Sequence, residues 1–332
     1  MEQRVMVVGG SGNISTAVVR RLLEDGYRVS IFTRGTSALD VPKEVEMVTG
    51  DRRDEAAFID IMRKGNYDYA IDMICMDPQA AAVDIQAFPE VKRMVFCSSG
   101  AAYGGLLGSE QPIREDFKCG PMNWSYGISK RAAENVFMEA YYKTGYPVTI
   151  IRPTVTYGRQ KVLNRQIGSD NVWIDRIRKG KPIVTGNPYL LRNFLHADDA
   201  AGAFAGALRH DCCIGQSYNM VGPKPYDWGT YHTAMMHVLG RQVEMVEVTL
   251  DTLLHMQTKD FTVGEMITEN FKYNGFYSGE KIARDIPEFC PRIGLEQGLA
   301  MALEFIERHG EIPNSDDYPY EDEIIRRQKS IW

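Results

Sequence analysis

Long apolar runs, metal-ligand clusters and an excess of positive charge are all missing from this chain. No uninterrupted apolar stretch approaches the roughly 20 residues of a membrane-spanning helix, so no membrane association is expected. The six cysteines, at positions 75, 97, 119, 212, 213 and 290, form no Cys-x-x-Cys pair and no Cys/His ligand spacing. Neither a bound metal nor a disulfide framework is expected; free thiols in a reducing cytoplasm are the simplest reading. Lysine and arginine total 38 against 44 acidic residues, a formal net charge of −6. Sequence-independent nucleic-acid binding needs clustered Lys and Arg, so a nucleic-acid partner is disfavoured. Met1-Glu2-Gln3-Arg4 is followed only by the short run Val5-Met6-Val7-Val8, which reads as a buried strand rather than a signal peptide. Internal repeats and low-complexity tracts are absent too.

What is present is alternation. Val5 to Val8 runs into Gly9-Gly10-Ser11-Gly12-Asn13-Ile14-Ser15, and Val18, Val19, Leu22 and Leu23 then recur at helical spacing before a second apolar run from Tyr27 to Thr33. Strand, glycine turn, helix and strand make a βαβ unit. Gly9 and Gly12 let the backbone approach a pyrophosphate at the electropositive start of the helix, with Ser11, Asn13 and Ile14 as further cofactor contacts. The third glycine of the usual fingerprint is replaced by Ser15, small enough for close packing. Past the second strand, where a carboxylate would meet the adenosine ribose, stand Thr33 and Arg34. Arg34 can fork a 2′-phosphate, which favours NADP over NAD; alternatively it stacks on the adenine. Asp51, with Arg52 beside it, is placed to contact the adenine end, and Asp54 to cap a helix from Glu55.

Further strands at Tyr69–Cys75 and Arg93–Cys97, with a helix from Pro78 to Phe88 between them, continue a rhythm that specifies an α/β fold, a Rossmann-type doubly wound parallel sheet. The strand ending at Cys97 leads into Ser98-Ser99, at the edge where ligands bind. A helix with Tyr126 and Lys130 follows, four residues apart and so on one face. A phenol has a pKa of about 10 and becomes a base only beside a cation such as Lys130. The bland alternative is a half-buried tyrosine next to a solvated lysine.

Assembled, these residues resemble the extended short-chain dehydrogenase/reductase superfamily, the NAD-dependent epimerase/dehydratases. Gly9-x-x-Gly12, Asp51, Ser98-Ser99 with Tyr103-Gly104, Tyr126-x-x-x-Lys130, Arg152-Pro153 with Tyr157-Gly158, and Arg192-x-Phe194-x-His196-x-Asp198-Asp199 occur in the family's order. Phe32-Thr33-Arg34-Gly35, Gly50-Asp51-Arg52 and Trp173-x-x-Arg176-Ile177 look more like the branch of the chloroplast stem-loop RNA-binding proteins. The resemblance implies Tyr126 as general acid/base, Lys130 as the group that lowers its pKa and holds the nicotinamide ribose, and Ser99 as hydrogen-bond partner of the reacting oxygen. Ser99, Tyr103, Tyr157 and Arg192 would bind substrate, Arg192 by gripping a diphosphate. His196 with Asp198-Asp199 would tie strand to helix. Gly100 and Ala101 stand where dehydratases carry an acid pair, which disfavours elimination, and Val155 stands where a phosphate-binding asparagine is usual.

The expected activity is therefore NAD(P)-dependent, reversible hydride transfer at a carbinol of a sugar, sugar derivative or nucleotide sugar. A ketone or aldehyde reductase and an RNA-binding protein on a dehydrogenase fold are the alternatives, the latter resting on a local basic stretch from Lys161 to Lys181. Residues 1–158, with 192–221 returning, are expected to form the dinucleotide domain, and 159–191 with 222–332 a smaller α/β substrate lobe. Alanines at 80–82, 132 and 133 suit a helix-paired homodimer in the cytoplasm. The charged tail from Ser315 reads as a surface or partner-facing helix.

Overall fold

Arg4–Val8 (β1) is buried on both faces, which suits the centre of a parallel sheet. The computed structural model describes residues 3–35, 41–105, 110–121, 123–257 and 261–331. From β1 the chain passes through Asn13–Glu24 (α1) to Arg28–Thr33 (β2) and Glu46–Thr49 (β3), stepping outward on one side. Asp54 caps Glu55–Gly65 (α2) by accepting the Ala57 N–H at 3.1 Å. The chain then crosses to the other side of β1: Tyr69–Asp72 (β4), Pro78–Ala87 (α3), Arg93–Cys97 (β5), Ser125–Thr144 (α4) and Val148–Pro153 (β6).

Val155–Tyr157 (β7), Asn164–Arg165 (β8), Gly168–Ser169 (β9), Val172–Lys179 (α5), Ile183–Thr185 (β10) and Leu191–His196 (β11) come next. Ala197–Ala207 (α6) and Gln216–Met220 (β12) lead back to the sheet. The remainder comprises Pro225–Asp227 (β13), Trp228–Val238 (α7), Met245–Glu247 (β14), Leu250–His255 (α8), Glu280–Asp285 (α9), Leu295–Arg308 (α10) and Tyr320–Ile331 (α11).

The main sheet has seven strands in the order β12-β6-β5-β4-β1-β2-β3, and every pair in it is parallel. Strand order reverses between β1 and β4, and a crevice opens there at the carboxyl ends. One apolar layer packs α1 and α6 against the sheet, and another packs α2, α3 and α4 on its opposite face. Phe194, Trp228 and Tyr231 centre a further core among α5, α7 and α10. Strand β11 joins β7 in parallel and β13 antiparallel, making a small mixed sheet.

Two expectations need correcting. Of the alanines expected at a helix pairing, Ala81 and Ala133 lie in the core and are unavailable to a second chain, while Ala80, Ala82 and Ala132 are half-buried. The tail is not a surface appendage either: Tyr320, Ile324 and Ile325 of α11 belong to a buried cluster with Val184, Val246 and Leu253. Among the described residues no helix is long and apolar enough to cross a membrane, and no group of acidic, His and Cys side chains is arranged to hold a metal.

Candidate active site

Strand β1 ends in Gly9 at φ +84, and α1 begins four residues later. A side chain at Gly9 would put its Cβ 2.4 Å from Ile74 Cγ2, so bare backbone is required against the crevice. Ser15 is buried and its hydroxyl accepts the Gly12 N–H at 2.6 Å, locking the turn onto the helix. The turn opens on a groove of about 610 Å³ lined by Gly9, Ser11, Gly12, Asn13, Ile14, Thr33, Arg34, Asp51 and Arg52. Bare glycine backbone at a helix N-terminus, with a groove leading away from it, fits the pyrophosphate and adenosine of a dinucleotide.

Arg52 lines the groove but directs its charge elsewhere. Its guanidinium turns inward to the fully buried Asp72 and Asp84, reaching Asp84 Oδ1 at 2.7 Å and the Ala80 carbonyl at 3.0 Å. Desolvation and the neighbouring Asp72 push the Asp84 carboxyl well above the usual carboxylate range. Arg52 thus braces the groove from beneath. Asp51 is embraced by Arg53, with Nη2 to Oδ2 at 2.6 Å, and that hydrogen bond holds its pKa at about 2.

Ser98 and Ser99 leave β5 in different roles. Ser98 is buried and donates to Glu134 Oε1 at 2.5 Å. Ser99 caps the short helical turn Gly100–Tyr103, accepting the Ala101 N–H at 3.2 Å, and lines the same cleft as Tyr126. The Tyr126 ring is 37% exposed. Desolvation nonetheless raises its pKa, and the nearby Ser99 hydroxyl offsets this only in part. Lys130 is buried one turn on, its ammonium donating to Cys75 O at 2.7 Å and Cys97 O at 2.9 Å. It lies 5.8 Å from the Tyr126 ring centroid. The expected lowering of the Tyr126 pKa is not found, because the ammonium faces carbonyls and desolvation of the phenol dominates.

A cleft of about 180 Å³ unites Ser99, Tyr126 and Arg192 with Trp124, Thr154, Asn164, Phe271 and Tyr277. Tyr103 and Tyr157 do not line it. Tyr103 is fully buried, donating to Asn219 Oδ1 at 2.7 Å and accepting from Arg152 Nη1 at 2.8 Å. Tyr157 is buried edge-on against His196 with its hydroxyl 3.5 Å from the Leu295 carbonyl. Both are buried away from this cleft, packed within the core. His196 caps α6 by accepting the Asp198 N–H at 3.2 Å, while Asp199 Oδ2 accepts the Ile293 N–H at 2.8 Å. These residues tie elements together, as the resemblance implies.

Tyr277, like Phe271, is a cleft residue that sequence reasoning misses; it follows no motif. A Cβ on Gly100 would come 3.2 Å from its hydroxyl oxygen, a tight contact, so a side chain at the position that holds an acid in dehydratases would have to displace Tyr277.

In fold the chain is similar to the UDP-glucose 4-epimerase of Thermotoga maritima, at a TM-score of 0.74 and 19% identity, covering 92% of this chain and 99% of that one. It is 29% identical over 314 residues to the 2′-dehydrokanamycin reductase of Streptomyces kanamyceticus, covering 94% of this chain and 87% of the relative. To the chloroplast stem-loop binding protein of 41 kDa b of Arabidopsis thaliana it is 22% identical over 341 residues, covering 98% and 85%. Identity to the reductase is thus higher than to the stem-loop branch suggested by Thr33-Arg34 and Asp51-Arg52. The glycine turn, the strand-end serines and the Tyr126–Lys130 helix all fall within residues 5–82 and 80–221, which match the NAD dependent epimerase/dehydratase family, and the chain belongs to that family.

Proposed function

We propose that this chain is an NADP(H)-dependent oxidoreductase acting at a carbinol of a sugar-like substrate, running as a ketone reductase. The observation that carries the reading is the junction at the end of β5: Cys97 lines the dinucleotide groove, and two residues later Ser99 lines the cleft together with the Tyr126 phenol. A bound dinucleotide supplies the hydride. Tyr126 supplies the proton, which goes to the ketone oxygen as its carbon takes the hydride, and Ser99 fixes that oxygen by hydrogen bonding. Desolvation keeps the phenol protonated at neutral pH, which suits a proton donor. Lys130 and the Gly9–Ile14 turn hold the dinucleotide, and Arg34 its 2′-phosphate. Residues 159–191 and 222–332 form the substrate lobe. Likeness to a relative named 2′-dehydrokanamycin reductase supports reduction over epimerisation.

RNA binding lacks its footprint. Lys161 pairs with Glu311, Arg165 with Glu321, Arg176 with Asp322, Arg178 with Glu307, and Lys179 and Lys181 with Asp316. The basic stretch is neutralised by the acidic end of the same chain.

Tyr126→Phe keeps the ring but removes the proton, so turnover is expected to fall by ~10²-fold or more with NADPH affinity retained. Full turnover by the folded variant overturns the mechanism. Stoichiometric NADPH consumption marks a reductase, whereas conversion with no net change in cofactor absorbance marks an epimerase.

A further inference from the structure

Arg192 lines the cleft, yet its hydrogen bonds point away from the role the family resemblance gives it. It is buried, and Nη2 donates to the Asn270 carbonyl and, at 2.8 Å, to the Tyr273 carbonyl. Nη1 donates to the Gly275 carbonyl at 3.4 Å, and the guanidinium lies 5.2 Å from the Phe271 ring centroid. A guanidinium grips an oxyanion through one of two forks, Nε with Nη2 or Nη1 with Nη2. Both forks need an Nη2 hydrogen, and both Nη2 hydrogens are taken by carbonyls. Only single donors remain, among them Nε–H, which has no partner.

The neighbours of Arg192 in β11 show that this is a built wall. Leu191 N–H donates to Asn274 Oδ1 at 2.9 Å, and its carbonyl accepts the Gly275 N–H at 3.0 Å. Asn193 Oδ1 accepts the Tyr277 N–H at 2.8 Å. Three successive residues thus stitch segment 270–277 over the cleft, and freeing Arg192 for a ligand would undo the middle stitch. Burial brings the Arg192 pKa down to about 10, as expected of a guanidinium with no carboxylate beside it. Among the described residues lining the cleft Arg192 is the only charged one, and its volume of about 180 Å³ is below the roughly 300–1,000 Å³ typical of ligand pockets. Val155 supplies no polar atom where the family's asparagine would stand.

From this geometry, and resting on the hydride-transfer reading above, we infer that the substrate is a compact polyhydroxylated ketone or alcohol with no nucleoside diphosphate. Arg192 acts as the clamp of the cleft wall and offers a single donor to a neutral substrate oxygen. A pyrophosphate entering here would meet one cation whose forks are closed, too little to replace the water it gives up.

The test uses wild-type protein saturated with NADPH and titrated calorimetrically with UDP-glucose and with dTDP-glucose, while hydrogen exchange follows the amides of 270–277. The expected result is no saturable binding tighter than ~1 mM and unchanged exchange in that segment. Saturable micromolar binding of either nucleotide sugar, with or without opening of 270–277, overturns the inference. The NADPH titration separates the two readings. If NADPH itself fails to bind, the oxidoreductase reading falls; if NADPH binds and a nucleotide sugar binds with it, only this inference falls.

Discussion

Arg34 stands at the end of β2 with Thr33 before it, and Asp51 across the groove is already satisfied by Arg53. Among the described residues no carboxylate is hydrogen-bonded to the Arg34 guanidinium, and a 2′-phosphate would give it a partner. Arg34→Ala is expected to raise KM for NADPH by ~10-fold or more while leaving KM for NADH within about twofold, since ~1.4 kcal/mol corresponds to tenfold. Equal rises for both dinucleotides would mean that Arg34 stacks on the adenine instead. Steady-state kinetics with the two cofactors decides it. Tyr126 shows what single residues do not disclose. It precedes a glycine, as Tyr103 does, and both follow the same strand, yet one ring is 37% exposed and the other fully buried against Arg152 and Asn219. Residue type makes each a candidate acid; burial decides which one meets a ligand.

The C-terminal helix α11 is the element whose sequence misleads most. Its run of Glu321, Asp322 and Glu323 followed by Arg326 and Arg327 reads as a solvated face. In the fold Glu321 is fully buried, accepting from Arg165 Nη1 at 2.7 Å and from the Val184 N–H at 2.7 Å, with Arg176 Nε 3.8 Å away. Its partners lie more than 130 residues upstream, and no local period announces them. By contrast β1, α1, β4 and β5 were legible because their apolar runs and caps are local signals, and the glycine turn because its backbone demand is local as well. Tyr277 and Phe271 were not, since they reach the cleft only through the stitching of 270–277 to β11. Removing the buried carboxylate should therefore be costly. Glu321→Leu leaves Arg165 and Arg176 short of a counter-charge, and a loss of ~3–5 kcal/mol in unfolding free energy is expected, measured by denaturant titration. A loss below ~1 kcal/mol would return α11 to the surface role its charges suggest.

Across the whole molecule, acid stability collects the buried groups of both halves, and His232 is the informative one. It is fully buried among Trp173, Trp228 and Tyr231, with Nδ1 2.7 Å from the Trp228 carbonyl. That contact makes Nδ1 the protonated nitrogen of a neutral ring. Desolvation, helped by the charge of Arg165, brings its pKa down to about 3. An unfolded chain titrates this histidine near ~6.5, so between that pH and about 3 the unfolded state binds a proton the native state refuses. Stability must then fall as pH falls through this window, by at most ~1.4 kcal/mol per unit for the one group. Asp84 and Asp170 shift the opposite way, their raised pKa values favouring the native state in acid, so the slope of the wild type alone does not isolate the histidine. The difference between proteins does. His232→Asn keeps an N–H for the Trp228 carbonyl but cannot titrate, and carboxylate contributions cancel on subtraction. Urea unfolding at steps from pH 7 to pH 4 is expected to give a wild-type curve that drops more steeply than the variant's below about pH 6.5, the two running parallel above it. Parallel curves throughout would mean that the ring gains its proton in the folded core as readily as in water, and that the aromatic cage around His232 opens to solvent in acid.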